Sequence, residues 1–171
     1  PLGLTHTGAE WDAARADDYA AGHTGLIAAD DRRRRITHVD TRAMAAATGW
    51  YSTAAEVSDY LSAHAEGDTR LLSDASKRLL HRRESTVPIG EITRHYGLGF
   101  ELREIDGHDL VGHSGGYPGH ITRTWLDPET GIVVSVLTNA IDGPADTLAT
   151  GALRLLRAAV DMADADARIA D

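Results

Sequence analysis

Nine residues, Gly112-His113-Ser114-Gly115-Gly116-Tyr117-Pro118-Gly119-His120, gather four glycines, a proline, a serine and two histidines into one segment. The short run Asp109-Leu110-Val111 leads into it, and Ile121, Arg123 and Trp125 alternate with Thr122, Thr124 and Leu126 on leaving it. Glycine has no Cβ, so such a segment lets a second backbone or a ligand come close. A serine and a histidine set there can face a bound substrate. A chain with this segment between strands is constrained to place it on or beside a sheet.

The neighbouring pattern extends the sheet. Tyr96 to Leu102 reads as a strand and Asp106-Gly107 as a turn. Asp127-Pro128-Glu129-Thr130-Gly131 reads as a hairpin turn, with proline early and glycine late. Ile132 to Leu137 is almost wholly apolar and is expected to be a buried central strand. Short connections between strands imply antiparallel pairing.

Helices are expected on either side of this region. Thr53 and Glu56 fit a capping box, in which each side chain bonds the other residue's backbone N–H. Val57, Tyr60 and Leu61 follow at helical spacing, which predicts a helix from about Thr53 to His64. Ser73 is expected to cap a second helix ending near Arg83, and Ser85 to His95, holding Pro88 and Gly90, reads as a loop. The last element is predicted as an amphipathic helix. Its apolar face would be Leu148, Ala152, Leu155, Leu156, Ala159 and Val160, and its polar face Thr150, Arg154, Arg157 and Asp161. The tail from Ala163 to Asp171 is expected to fray.

With 171 residues the chain can bury one real core. A net charge of −9 argues against nucleic acid and against an anionic membrane surface. No apolar run reaches the roughly 18 residues of a membrane span. There is no cysteine, hence no disulfide and no thiolate metal site. Asp30 to Arg35 is read as a solvated loop, with a docking patch for an acidic partner as the alternative.

Several chemistries can be weighed on spacing. Gly112-His113-Ser114-Gly115-Gly116 fits the Gly-x-Ser-x-Gly nucleophile elbow, which would make Ser114 the nucleophile of an α/β-hydrolase. That elbow needs a helix after the serine, whereas a strand follows here, and His120 is the only histidine downstream. His108, His113 and His120 repeat no known ligand spacing, so no metal site is expected. No Gly-Lys pair exists for a phosphate loop. Trp50 and Trp125 are read as packing residues, with a cleft lining as the alternative, and Asn139 as a cap.

One resemblance covers most of the chain. The stretch from Val111 to His120, then Leu126-Asp127-Pro128-Glu129-Thr130-Gly131, then Val136-Leu137-Thr138-Asn139, resembles the C-terminal half of the serine β-lactamase-like hydrolases. These include class C β-lactamases, D-alanyl-D-alanine carboxypeptidases, D-aminopeptidases and related esterases. Pro1-Leu2-Gly3-Leu4 resembles the family's Pro-Leu-Gly-Met. Trp50-Tyr51-Ser52-Thr53-Ala54-Ala55-Glu56 resembles its Ser-Thr-Ala-x-Asp helix start, and Tyr96-Gly97-Leu98-Gly99-Phe100 its Tyr-Gly-Leu-Gly-Trp strand.

The resemblance implies three active-site motifs: Ser-x-x-Lys with the nucleophile, Tyr-x-Asn, and Lys-Thr-Gly or its variant His-x-Gly. His113-Ser114-Gly115 matches the third. By resemblance His113 would supply positive charge or a proton, Ser114 a hydroxyl for a carbonyl or carboxylate, and Gly115 room for the acyl group. The N–H of Gly116 would form half of the oxyanion hole, and Tyr117 and His120 would rim the site. The other two motifs are absent: Lys77 is the only lysine and Asp74 stands three residues before it, while no tyrosine has asparagine two residues on.

The implied fold is α+β, an antiparallel sheet of three or four strands flanked by helices, as part of a β-lactamase/transpeptidase-like fold. Residues 1–95 would belong to its helical subdomain and connecting loops, and 96–171 to the sheet and C-terminal helix. With the sheet incomplete, an exposed apolar patch and low stability are expected. The expected activity of the complete protein is amide or ester hydrolysis through an acyl-serine, on a small molecule or peptide and without a cofactor. The missing N-terminal half would be this chain's partner, and this chain alone is expected to be inactive. A non-catalytic binding or partner module derived from the same fold is the alternative. The family-typical compartment is periplasmic or extracellular, with the cytoplasm as the alternative.

Overall fold

Asp106 and Gly107 both take positive φ, +54° and +82°, and turn the chain between Ile105 and His108. This conformation is what a two-residue antiparallel hairpin requires. In the computed structural model, which describes residues 1–9, 11–26 and 32–170, six strands run in chain order through one antiparallel sheet. They are β1 (Ser85–Ile89), β2 (Ile92–Tyr96), β3 (Glu101–Ile105), β4 (His108–Tyr117), β5 (His120–Leu126) and β6 (Val133–Thr138). Four helices accompany them: α1 (Ala45–Thr48), α2 (Ala54–Ser62), α3 (Asp74–His81) and α4 (Ala145–Ala170). The sheet has six strands where three or four were expected.

Alternation along the strands builds two cores. Leu110 and Trp125 point to one face and pack with Ile105, Val134, and Ala149 and Leu153 of α4. Val111 and Leu126 point to the other and pack with Phe100, Leu61 of α2 and Leu80 of α3. The helices therefore cover both faces, as the α+β reading required. Among the described residues no helix is long and apolar enough to cross a membrane.

Four expectations fail for identifiable reasons. Ser85 to Tyr96 is a hairpin, β1–β2, and not a loop. Pro88 is tolerated because β1 is an edge strand, where a missing N–H costs no ladder bond, and Gly90 sits in the turn at φ +61°. The strand expected over Tyr96 to Leu102 is broken by Gly97 to Phe100, so Tyr96 closes β2 and Glu101 opens β3. Beyond them, β6 is the far edge of the sheet and not a central strand. It has no charge and no proline, and among the described residues no strand pairs with its outer side. The tail is helical through Ala170, and only Asp171 lies outside the described residues.

The buried stripe of α4 is also rotated from the expected one. It runs Ala145, Ala149, Leu153, Arg157, whereas Leu148, Leu155, Leu156 and Val160 are exposed. Small residues face the sheet because the ring of Trp125 already fills that space. Arg157 is buried because its Nη2 donates to Asp127 Oδ2 at 2.7 Å. Burial pushes the Asp127 carboxyl up, but Arg157 and the N–H of Thr130 more than offset this and hold it below the usual carboxylate range. Asp127 thus ties the β5–β6 turn to α4, with Oδ1 accepting from the N–H groups of Glu129 and Thr130.

Thr53 and Ser73 cap α2 and α3 as expected. Glu56 does not complete the capping box. Its carboxylate turns away to accept from the N–H groups of Thr5 and His6, both at 2.8 Å, and from the Thr7 hydroxyl. Burial pushes the Glu56 carboxyl up, yet these bonds pull it down to about 2. The result is a strap, residues 5–7, held against α2. Of the charge run from 30 to 35, Asp30 and Asp31 lie outside the described residues. Arg33 donates to Asp142, just past the end of β6.

Candidate active site

The glycine segment forms the second half of β4 and the turn after it. Gly112 is required there sterically: a Cβ would lie 2.0 Å from the carbonyl oxygen of Thr124 and 2.8 Å from the ring of Trp125. The same position ends the pairing with β3, whose last partner is Glu101 opposite Gly112. From His113 to Tyr117, β4 keeps β5 on one side only. Its other side is open backbone.

Which groups face that opening can be read from two hydrogen bonds. The Thr48 hydroxyl, at the end of α1, donates to the Gly116 carbonyl at 3.1 Å. His113 Nδ1 lies 2.5 Å from the Ser114 carbonyl. Neither partner is in β5, so the carbonyls of Ser114 and Gly116 point away from it. In an antiparallel strand the N–H of a residue points to the same side as its C=O. The N–H of Gly116 therefore also faces the open edge.

The turn is fixed from outside the sheet. Gly119 lies at φ +85°, and a Cβ on it would meet the backbone of Gly22 at 2.6 Å. His23 N–H donates to the Gly119 carbonyl at 3.2 Å, its carbonyl accepts from Ile141 N–H, and its Nδ1 lies 3.0 Å from the Asn139 carbonyl. The Asn139 side chain in turn donates to the Ala21 carbonyl. Residues 21–23 thus join the β4–β5 turn to the end of β6. His120 is half-buried beside this crossing, and burial, with His23 nearby, pushes its imidazole pKa down.

Beside the open edge lies a cleft of about 1320 Å³. Gly115, Gly116, Tyr117 and His120 line it, while His113 and Ser114 do not. His113 is exposed, its ring 5.8 Å from that of Tyr96. The structure therefore brings four of the six sequence-derived site residues together on one surface. Trp125, read as a packing residue, is fully buried, whereas Trp50 is exposed and lines the cleft.

The sequence reading missed the opposite wall. Of three tryptophans, five tyrosines and one phenylalanine in the chain, Trp11, Tyr19, Trp50, Tyr51 and Tyr117 all line this cleft. Tyr19 meets Tyr51 edge-on at 4.9 Å. The Tyr117 hydroxyl accepts from Val39 N–H at 2.7 Å and lies 2.5 Å from the Val39 carbonyl and 2.8 Å from His38 Nδ1. The one available signal was compositional: four of the nine Trp, Tyr and Phe residues fall within Trp11 to Tyr51, in a segment with no periodicity to explain them.

An unpaired glycine edge beside a cleft is a geometry for holding a carbonyl group against backbone N–H. The family model described as Beta-lactamase matches residues 1–159. The chain belongs to the beta-lactamase family.

Solved structures of this family's fold agree. The D-amino acid amidase from Ochrobactrum anthropi SV3, complexed with L-phenylalanine, superposes with a TM-score of 0.66 at 20% identity over 95% of this chain and 50% of its own. The beta-lactamase/D-alanine carboxypeptidase from Pseudomonas syringae gives 0.64 at 16% identity, over 91% and 49%. The D-stereospecific amidohydrolase from Streptomyces sp. gives 0.62 at 19%, over 82% and 41%. The beta-lactamase-family chain described here thus spans half or less of each of these proteins. No curated protein sequence matches it.

Proposed function

We propose that this chain supplies the substrate-binding strand of a serine hydrolase that opens an amide or ester through an acyl-enzyme. The observation that carries the reading is the open edge of β4 from His113 to Tyr117, set beside the cleft in a beta-lactamase-family fold. The substrate carbonyl lies against this edge with its oxygen toward the N–H of Gly116. That N–H then stabilises the oxyanion as the tetrahedral intermediate forms. Ser114 offers a hydroxyl to the substrate's carbonyl or carboxylate, His113 a proton or positive charge, and Gly115 the clearance for the acyl group. Tyr117 and His120 rim the cleft.

The nucleophile comes from outside these 171 residues, on a Ser-x-x-Lys. Neither that motif nor Tyr-x-Asn occurs in the chain, which covers half or less of each of the structures it resembles. The serine oxygen adds to the carbonyl, the amine or alcohol leaves with a proton, and water then adds to the ester and releases the acid. The named activities of the structural neighbours point to D-amino-acid amides and peptides as the substrate class, with β-lactams and small esters as alternatives.

The test is a polypeptide that joins this chain to the protein segment encoded upstream of it. Incubation with p-nitrophenyl acetate or a penicillin is expected to add the mass of one acyl group to a serine upstream of residue 1. The 171-residue chain alone should stay unmodified. A joined polypeptide that binds these compounds and is never acylated would make the chain part of a binding module. Hydrolysis by the 171 residues alone, lost in Ser114→Ala, would overturn the reading in favour of Ser114 as nucleophile.

A further inference from the structure

We propose that Trp11, His38 and Tyr117 form a preorganised stacking wall that selects substrates carrying an aromatic side chain. This inference rests on the reading of the Gly115–Gly116 edge as the acyl site and adds the side-chain class that the site accepts.

The three rings form a layered series. Trp11 lies on His38 with ring centroids 4.6 Å apart and planes 17° from parallel. His38 lies 5.7 Å from Tyr117, at 27°. Offset, near-parallel rings at such separations attract one another. Tyr19 and His120 flank the two ends at tilted angles, 6.2 Å from Trp11 and 5.8 Å from Tyr117, and the exposed part of the Trp11 indole is the surface left for one more ring. Trp11 remains 40% exposed within the cleft. An exposed indole in a chain with so few aromatics is more than packing calls for.

The Tyr117 end of the wall is anchored. The Tyr117 hydroxyl is held by both the N–H and the carbonyl of Val39, so the ring does not need to be ordered when a ligand arrives. Rigid aromatic surface binds at low entropic cost. Its position fits the proposed chemistry, because Tyr117 follows Gly116 in β4, one strand residue or about 3.3 Å further on. A side chain on the carbon beside a carbonyl at Gly116 falls within reach of that ring. Tyr19 lies 6.2 Å from Trp11 and meets Tyr51 edge-on, with Arg15 over the Tyr51 ring at 5.9 Å.

The experiment is a titration of the 171-residue chain with D-phenylalaninamide and with D-alaninamide, followed by 1H–15N NMR. The readouts are the indole N–H of Trp11 and the backbone N–H of Gly116. The aromatic amide is expected to bind at least about ten-fold more tightly, the scale of one well-placed ring stack, and to shift the Trp11 indole. Trp11→Leu and Tyr117→Leu should each remove most of that advantage, with the rest of the spectrum reporting that the fold is kept. Equal affinity for the two amides, no saturable binding of the aromatic one, or a preference that survives both substitutions would overturn the proposal. The two readings separate in the same data. Shifts at Gly116 without Trp11 and without preference defeat the wall and leave the acyl edge standing. Shifts at Trp11 without Gly116 leave an aromatic-binding surface and defeat the acyl edge.

Discussion

The hydroxyl of Thr48 donates to the carbonyl of Gly116 across 68 residues of chain. With the contact of His113 Nδ1 on the Ser114 carbonyl, it marks the side of β4 that faces away from β5. Thr48→Val removes this exposed bond at a cost of about 1 kcal/mol or less to stability. The Gly116 amide resonance is expected to move or broaden, and amide affinity to fall, while the melting temperature changes little.

Glycines in this segment are not equivalent. Gly112→Ala pushes a methyl into the Thr124 carbonyl, whereas a Cβ on Gly116 meets only Ile121 Cδ1, at 3.9 Å. Gly112→Ala is expected to destabilise by about 2–3 kcal/mol, as overpacking does, and Gly116→Ala by well under about 1 kcal/mol. Urea denaturation of both variants checks the contrast.

His64 and His81 stand 6.0 Å apart against Phe100. Neither ring nitrogen of His64, nor Nε2 of His81, has a hydrogen-bond partner among the described residues. Burial pushes both imidazole pKa values down; His64 and Lys77 add to this for His81, which reaches about 4. The unfolded chain takes up these protons near pH 6.5. Stability is thus fully present above pH 6.5 and lost as the pH falls toward about 4, with a slope of up to about 1.4 kcal/mol per pH unit for each histidine. Urea midpoints measured between pH 7 and 4.5 should fall accordingly, and His81→Leu should flatten the dependence.

Arg157 and Asp127 are a buried pair. Arg157→Met leaves the Asp127 carboxylate with His108, the Thr130 side chain and two backbone N–H groups but no arginine, and should cost about 3–5 kcal/mol. The double variant Arg157→Met/Asp127→Asn is expected to recover part of that loss in chemical denaturation.

Local signals carried much of the architecture. The turns at Asp106-Gly107 and Asp127–Gly131, the caps Thr53 and Ser73, and the His113-Ser114-Gly115 motif depend on residues within a few positions of one another. What stayed hidden depends on distant partners. Arg157 reads as polar until Asp127, 30 residues away, is seen to hold it, and the buried face of α4 rotates with it. β1 is exposed along its whole length, so no burial alternation marks it as a strand. The aromatic cleft draws Trp11, Tyr51 and Tyr117 from three separate stretches, and no spacing rule links them.

The outer side of β6 has a practical consequence. Along the uncharged strand Val133–Thr138, alternate residues turn their N–H and C=O groups away from β5 and offer them to any other strand. Two copies of the chain can pair along this edge, with no like charge on either side to keep them apart. The useful life of a sample is therefore set by how concentrated it is before it is set by how warm it is, and a lysine in place of Leu137, the exposed side chain of this strand, is the first change to make for anyone who needs it to keep.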